Sequence, residues 1–285
     1  MQEITSHVYI DSNYPGVTLG AINWDHGLLL VDAPLRLEDS RSWRSALISL
    51  GGGVDRLLVN LDAHLDRTLG ARAMDCTVIG HEKLTEVFHS RPMSFKPQGM
   101  ETGADWERFE NLGTVRWATP EITFSDEMQI HWNGNPICLE NHPGCSPGAI
   151  WLVLPKQGVV FLGDAVVPDQ PPFLADADIS LWIDHLHLLL SSQYRDYLLV
   201  SGRGGLIALE QVRSQIKFLE KAEQHLLNLI EQKNPATELE KLAGSLLKGF
   251  KIPPEREIQY QHRIRWGLTQ YHMRHNKNGA GETDH

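Results

Sequence analysis

Two aspartates and one histidine follow directly after a short apolar strand in the first quarter of the chain. The segment NLDAHLDR, residues 60–67, contains Asp62, His64 and Asp66, which are all side chains that bind zinc or iron. A helix is predicted to begin within this segment, and ligands usually bind where the strands of an open sheet end. The spacing indicates a candidate metal site. It is equally typical of a helix N-cap with solvated charges.

Three later segments also place a polar side chain just beyond an apolar strand. Cys145 lies in HPGCSPGA at 142–149, Asp164 ends FLGD at 161–164, and Arg203 lies in VSGRGG at 200–205. Loops at the edge of a rigid sheet are where sites are usually built. His142 is a spare ligand or general base in one interpretation and a structural loop histidine in the other.

The order of these four segments resembles that of the metallo-β-lactamase superfamily. That family has an H-x-H-x-D-H motif after a buried strand, then a histidine in a GHTPGS-like turn, an aspartate in a G-D pair and a histidine in a PGHG-like turn. The matching segments here are 62–67, 144–149, 163–164 and 201–204, and the likeness covers about residues 5–207. It implies an α/β fold, the αββα four-layer sandwich, with a C-terminal helical extension.

Seven positions of this chain correspond to metal ligands of the family, and three of them keep the family residue. These three are His64, Asp66 and Asp164. The other four have changed: Asp62 replaces the first histidine, Arg67 the last histidine of the first motif, Cys145 the turn histidine and Arg203 the final histidine.

The resemblance implies that one of the two metal positions keeps a more suitable set of ligands than the other. Asp62, His64 and Cys145, completed by Asp164, can all bind zinc or iron. The second position would use Asp66 and Asp164 together with two arginines, and a guanidinium offers only hydrogen-bond donors. We therefore expect one divalent metal, zinc or iron, or none.

Charge supports the same expectation. With a Cys145 thiolate, the formal charges of the site sum to −2, so one divalent ion neutralises it. We expect Arg67 and Arg203 to pair with Asp66 and Asp164, because arginine–carboxylate pairs are strong when bidentate. The alternatives are solvated surface arginines and a Cys145 that is only a small buried hydrophobe.

Two functions follow from this site. The first is a mononuclear metallo-hydrolase acting on an ester, lactone, thioester or phosphodiester, in which Asp66 orients a water and Arg67 or Arg203 binds an anionic substrate group. The second is a non-catalytic relative that keeps the fold for binding or assembly, with an Asp/Arg salt-bridge network and no metal.

Composition limits the class of partner. The formal net charge of −10 argues against a nucleic acid, whose phosphates the protein would repel. No apolar run reaches the roughly 18 residues of a membrane span, and the start of the sequence does not resemble a signal peptide. Three cysteines are too few for a disulfide framework, so a cytoplasmic location is expected. The expected partner is a small molecule.

Three parts of the chain are expected: the resemblance implies a metallo-β-lactamase-like domain at 1–207, and the sequence pattern predicts a helical extension 208–275 and a disordered tail 276–285. A single long helix is predicted over 206–234, a second helix over 239–250 and a third over 255–275. The polar segment 90–112 is interpreted as an insertion or lid. The apolar stripes of the C-terminal helices need cover, either from the sheet or from a second copy in a homodimer.

Overall fold

The computed structural model describes the chain except for residues 52, 92–98, 110–111, 113–116, 133–134, 230–234 and 280–285. The described part contains thirteen strands. They are β1 Gln2–Thr5, β2 Val8–Tyr14, β3 Val17–Trp24, β4 Gly27–Val31, β5 Asp55–Val59, β6 Thr77–His81, β7 Ile122–Phe124, β8 Glu127–Trp132, β9 Asn135–Asn141, β10 Ile150–Leu154, β11 Val159–Phe161, β12 Leu198–Ser201 and β13 Gly205–Ile207.

Seven α-helices accompany the strands in the described residues. They are α1 Leu37–Ile48, α2 Leu65–Thr68, α3 Glu82–Ser90, α4 Ile179–Leu190, α5 Leu209–Leu227, α6 Ala236–Leu247 and α7 Glu257–Gly279. Four short 3-10 helices lie at Ala71–Met74, Trp106–Arg108, Gly163–Ala165 and Pro254–Arg256. No described helix is both long and apolar enough to cross a lipid bilayer.

The strands form two sheets that pack face to face. One has the order β1-β2-β3-β4-β5-β6-β7, and the other has the order β13-β12-β11-β10-β9-β8. Strands β4 to β7 are parallel, and so are β11 and β12, whereas the remaining neighbours are antiparallel. Side chains from both sheets, such as Leu29 and Leu152, share one apolar core.

Helices cover the outer face of each sheet. Trp43 and Leu47 of α1 pack on the first sheet with Leu28 and Leu30. Helices α4 to α7 pack on the second sheet, where Trp182, Leu219 and Leu242 belong to the same core as Trp151. The α/β class and the predicted four-layer αββα order are confirmed. The apolar stripes that suggested a homodimer are covered by the chain's own sheet.

Three predicted helices have different limits, and the second, predicted over 239–250, is α6 at Ala236–Leu247. The helix predicted from residue 206 begins at Leu209, because Gly205–Ile207 pairs with β12 as an edge strand. Its last predicted residues, 230–234, lie outside the described part. The third helix begins at Glu257 after a 3-10 turn and continues to Gly279, beyond its predicted end at 275. Of the predicted tail, 280–285 lie outside the described residues.

Candidate functional site

Four strand ends bring the candidate residues together at one edge of the sandwich. Strands β4 and β5 are parallel neighbours in one sheet, and β11 and β12 are parallel neighbours in the other. Parallel strands present their carboxyl ends at the same edge. Asp32 follows β4, Asp62 and His64 follow β5, Asp164 follows β11, and Arg203 follows β12.

The Arg67 guanidinium is enclosed by three carboxylates. Its side chain is 0% exposed. Nη1 donates to Asp32 Oδ2 at 2.8 Å, Nε lies 3.0 Å from Asp62 Oδ1, and Nη2 donates to Asp164 Oδ1. Although burial opposes its charge, these carboxylates raise the pKa of Arg67 and keep it a cation. All three nitrogens of Arg67 therefore face an acidic partner.

Arg203 approaches Asp164 from the other side. Its Nε and Nη2 donate to the two carboxylate oxygens of Asp164 at 2.9 and 3.0 Å, which makes a bidentate pair. Nη1 donates to Asp66 Oδ2 at 2.7 Å, and Nη2 also lies 3.0 Å from His64 Nδ1. We call Arg67, Arg203 and the carboxylates that bind them, Asp32, Asp62, Asp66 and Asp164, the arginine–aspartate network.

The arginines offset the effect of burial on the pKa to different extents at Asp164 and Asp32. Although burial alone would raise it, Arg203 and Arg67 hold the pKa of Asp164 well below its usual range. Burial raises the pKa of Asp32 to about 7, and the Arg67 guanidinium offsets this only in part. Asp164, which is bound by both arginines, is therefore the more firmly charged carboxylate of the two.

His64 has a fixed orientation and charge. Burial, followed by the nearby Arg203 guanidinium, lowers the pKa of His64 well below its ordinary value, so the ring is neutral near pH 7. The backbone N–H of Asp66 donates to Nδ1 at 3.2 Å, and Arg203 approaches the same nitrogen. The proton of this neutral ring therefore belongs on Nε2.

Further contacts hold Asp66 and Arg203 from outside the network. The Asp66 carboxylate accepts backbone N–H groups of Asp105 at 3.1 Å and Trp106 at 2.8 Å. The Phe173 ring contacts two cations, with the guanidinium carbons of Arg203 and Arg263 at 4.6 and 4.1 Å from its centroid. Arg203 is thus held by an aromatic ring as well as by carboxylates.

Glycines give the guanidinium groups their space. A Cβ at Gly202 would lie 2.6 Å from Arg67 Nη1 and 2.8 Å from the backbone of Gly163. Gly16 has a φ of +71°, and a Cβ there would lie 2.8 Å from Asp105 Cβ. Larger residues at either position would disturb the network.

Two cavities border the network on different sides. The first, which we call the His64 cavity, has a volume of about 420 Å³ and is lined by His64, the carboxylates Asp62, Asp164 and Asp176, Cys145, Arg91 and three aromatic rings, Trp106, Phe173 and Trp266. The second, the arginine cavity, has a volume of about 520 Å³ and is lined by Arg108, Arg203, Arg256, Asp105, Tyr14 and Tyr260 among others.

The seven residues selected from the sequence all lie in this region. Asp62, His64, Cys145 and Asp164 line the His64 cavity together. Asp66, Arg67 and Arg203 are in the network, where the two arginines pair with Asp66 and Asp164 as expected and Arg67 also pairs with Asp32 and Asp62. Asp66 pairs with Arg203, because the side chain of its neighbour Arg67 points in a different direction on the helix. In the described residues, no group of three or more His, Cys, Asp or Glu side chains is placed to hold a metal ion.

Cys145 and His142 take no part in the network. Burial raises the pKa of the Cys145 thiol far above its usual range, with the carboxylates of Asp62 and Asp164 adding to the effect. It is a neutral thiol in this structure. His142 is a structural loop histidine, because it binds Glu140 at 3.1 Å and stacks on Trp151 with ring centroids 3.7 Å apart.

Sequence reasoning missed several residues that complete the site. Asp32 ends a strand next to β5, so the same strand-edge rule that selected Asp62 would have found it. Asp105 lies in the segment interpreted as an insertion or lid, where no periodicity indicates a position. Phe173 and Arg263 come together from distant parts of the chain, and no local pattern predicts that contact.

Comparison with known proteins gives matches among solved structures only. No protein-family model matches the chain, and no curated protein does. A metallo-beta-lactamase from Pontibacter korlensis is 18% identical, with 77% of this chain and 97% of that chain covered and a TM-score of 0.60. A metallo-beta-lactamase family protein from Thermus thermophilus is also 18% identical, with coverages of 98% and 95% and a TM-score of 0.66.

A larger enzyme aligns over nearly the whole of this chain. The stereoselective inverting sec-alkylsulfatase Pisa1 from Pseudomonas sp. is 15% identical, with 99% of this chain covered and a TM-score of 0.71. This chain spans about half of the sulfatase, 52% of its length. At such identities the likeness concerns the fold alone.

Proposed function

From the premise that this chain has the metallo-β-lactamase fold, we propose that it is a metal-independent protein that binds a small anionic molecule. Two buried guanidinium groups take the place of the metal ions that the resemblance implies. The proposal rests on one observation: Asp62, Asp66, Asp164 and His64, four of the five candidate metal ligands, are already paired with Arg67 or Arg203.

The donor set does not fit a divalent metal in this arrangement. Both oxygens of Asp164 accept from arginines, and Asp62 Oδ1 accepts the backbone N–H of His64 at 2.8 Å besides facing Arg67. The Nδ1 lone pair of His64 is occupied, and its Nε2 carries the proton. A metal would have to displace a buried guanidinium, which would leave an uncompensated charge.

The arginine cavity supports an anionic ligand. Three arginines border it, and among the described residues that line it Asp105 is the only acidic one. Arg203 is saturated by the network, whereas Arg108 and Arg256 share the single carboxylate Asp105 and have side chains that are 35% and 27% exposed. Tyr14 and Tyr260 add aromatic faces and hydroxyl groups. A small di- or tricarboxylate matches this combination of charge and hydrogen-bond donors.

Measuring the metal content tests the first half of the proposal, that the protein functions without a bound metal. Protein purified without chelator should contain well below one zinc or iron ion per chain, and its melting temperature should not change with zinc or with EDTA. A D62H/R67H/C145H/R203H variant, which restores the family ligands, serves as the positive control if circular dichroism shows that it folds. One tightly bound ion per wild-type chain would overturn this half.

Calorimetric titration with succinate tests the ligand half. We expect saturable binding that weakens with added salt, because the contacts are ionic and partly exposed. Arg108→Gln should weaken it about three- to tenfold. Arg213→Gln, which changes an exposed arginine on α5, should leave binding unchanged. Succinamide is the neutral control. Equal binding of succinate and succinamide, or no binding of either, would contradict an anion site.

A mononuclear metallo-hydrolase is the second candidate, and one observation favours it. Asp62, His64, Cys145 and Asp164 line a single cavity, as a ligand set for zinc or iron would. That function requires Arg67 to leave both Asp62 and Asp164. The metal analysis above separates the two candidates, because only the hydrolase needs a bound ion.

A further inference from the structure

A third cavity lies away from the network, between helices α5 and α6 and residues 167–169. Its volume is about 560 Å³. None of the described residues that line it also lines the His64 cavity or the arginine cavity. This cavity is therefore separate from the two cavities that border the arginine–aspartate network.

A buried side-chain amide at its wall has an N–H group without an acceptor among the described residues. Gln215 is 5% exposed and lines the cavity. Its Oε1 accepts the backbone N–H of Val167 over a long 3.5 Å, whereas its Nε2 has no hydrogen-bond partner in the described part of the chain. An unmade hydrogen bond on a buried donor is unfavourable, so an acceptor oxygen delivered by a ligand would be stabilised there.

The charges around this cavity favour an anion. Lys217, Lys221 and Lys251 line it, against Asp169 and Glu210. Lys221 donates to the Ser245 hydroxyl oxygen at 3.0 Å. Glu210 pairs with Arg213 at 3.4 Å, so its negative charge is partly neutralised by a cation outside the cavity. The lysines leave a net positive lining.

Part of the remaining wall is apolar. The rings of Phe218 and Phe250 have centroids 5.5 Å apart, and Leu246 and Val167 also line the space. Aromatic and aliphatic walls with a few polar groups are typical of small-molecule sites. We propose that this cavity binds a small molecule with an apolar body and one anionic head, whose oxygen accepts from Gln215 Nε2.

Titration with octanoate, octyl phosphate and octan-1-ol tests this site in the full chain. Saturable binding of either anion should shift the side-chain amide resonances of Gln215 in a ¹⁵N–¹H spectrum, and the neutral alcohol should bind at least tenfold more weakly. Which of the two anions binds more tightly identifies the head group as a carboxylate or a phosphate.

Variants locate the ligand and separate this site from the arginine cavity. Lys217→Gln together with Lys251→Gln should weaken octanoate binding about tenfold, and Gln215→Leu should weaken it without lowering stability. Lys241→Gln, at an exposed residue of α6 that does not line the cavity, should have no effect, nor should Arg108→Gln. Equal affinity for octan-1-ol and octanoate, no response of Gln215, or no binding of either anion would overturn the proposal.

Discussion

The two arginines of the network stand at positions where the metallo-β-lactamase pattern has histidines, yet their surroundings differ. Arg67 is fully enclosed, and its three nitrogens face Asp32, Asp62 and Asp164. Arg203 pairs with Asp66 and Asp164 and lies 3.7 Å from Asp105, and it also contacts His64 and Phe173 and borders a cavity. Arg67 is thus enclosed by the protein, whereas Arg203 lies between the protein interior and a cavity.

This difference predicts different roles for the two arginines in protein stability and in ligand binding. A cation enclosed by carboxylates neutralises the strand ends of both sheets, and its loss leaves several buried charges unpaired. A cation that borders a cavity has an additional role, because it contributes to the positive field there. We therefore expect substitutions at Arg67 to act on folding and substitutions near Arg203 to act on folding and on ligand binding.

The largest effect is expected from Arg67→Met. Because it leaves buried carboxylates without their cation, it should lower the free energy of unfolding by about 3–5 kcal/mol. Urea unfolding followed by circular dichroism measures this. The matched control is Arg213→Met, an exposed residue paired with Glu210 at 3.4 Å, which should change stability by less than about 1 kcal/mol. A loss at Arg67 no larger than the control would show that the carboxylates do not depend on it.

Arg203→Met should cost less, about 2–3 kcal/mol, because hydrogen bonds to charged groups are lost but partners remain. Asp164 keeps Arg67, and Asp66 keeps two backbone N–H donors. The same urea assay applies, with Arg195→Met as the exposed control. A loss equal to or above that of Arg67→Met would remove the distinction between the two positions.

Gly202→Ala should disturb the Arg67 side by steric contact alone. The added Cβ would meet Arg67 Nη1 and the backbone of Gly163, so we expect a loss of about 1–2 kcal/mol, in the range of overpacked cores. Gly244→Ala is the control, because nothing lies within 4 Å of a Cβ there and helix α6 gains alanine's higher propensity. Equal stability of the two variants would place the guanidinium away from Gly202.

The smallest effect concerns the aromatic contact that Arg203 has and Arg67 lacks among the described residues. A double-mutant cycle of Phe173→Leu with Arg203→Met should give a coupling free energy of about 0.5–1 kcal/mol, as cation–π pairs do. The cycle of Phe173→Leu with the exposed Arg213→Met should give none. Coupling of equal size in both cycles would indicate a general loss of packing instead.

The fold can be predicted from the sequence because apolar strands, each followed by a polar residue, occur in a recognisable order. The same rule places Asp62, Asp164 and Arg203 at one edge. Which side chains pair within the site can be predicted from the sequence only in part. Which carboxylates Arg67 reaches depends on the direction of its side chain on α2, and Asp105 arrives from an aperiodic segment. The sequence pattern wrongly predicts helix from residue 206, within edge strand β13, because this strand immediately precedes a long helical pattern.

The central claim is that guanidinium groups occupy the space that a metal would need between Asp62, His64 and Asp164. Crystals grown or soaked with zinc, with anomalous differences measured at the zinc edge, test it directly. We expect no anomalous peak among these side chains and continuous density for the Arg67 guanidinium between Asp62 and Asp164. A strong peak bound by Asp62, His64, Cys145 or Asp164, with Arg67 turned away, would contradict it.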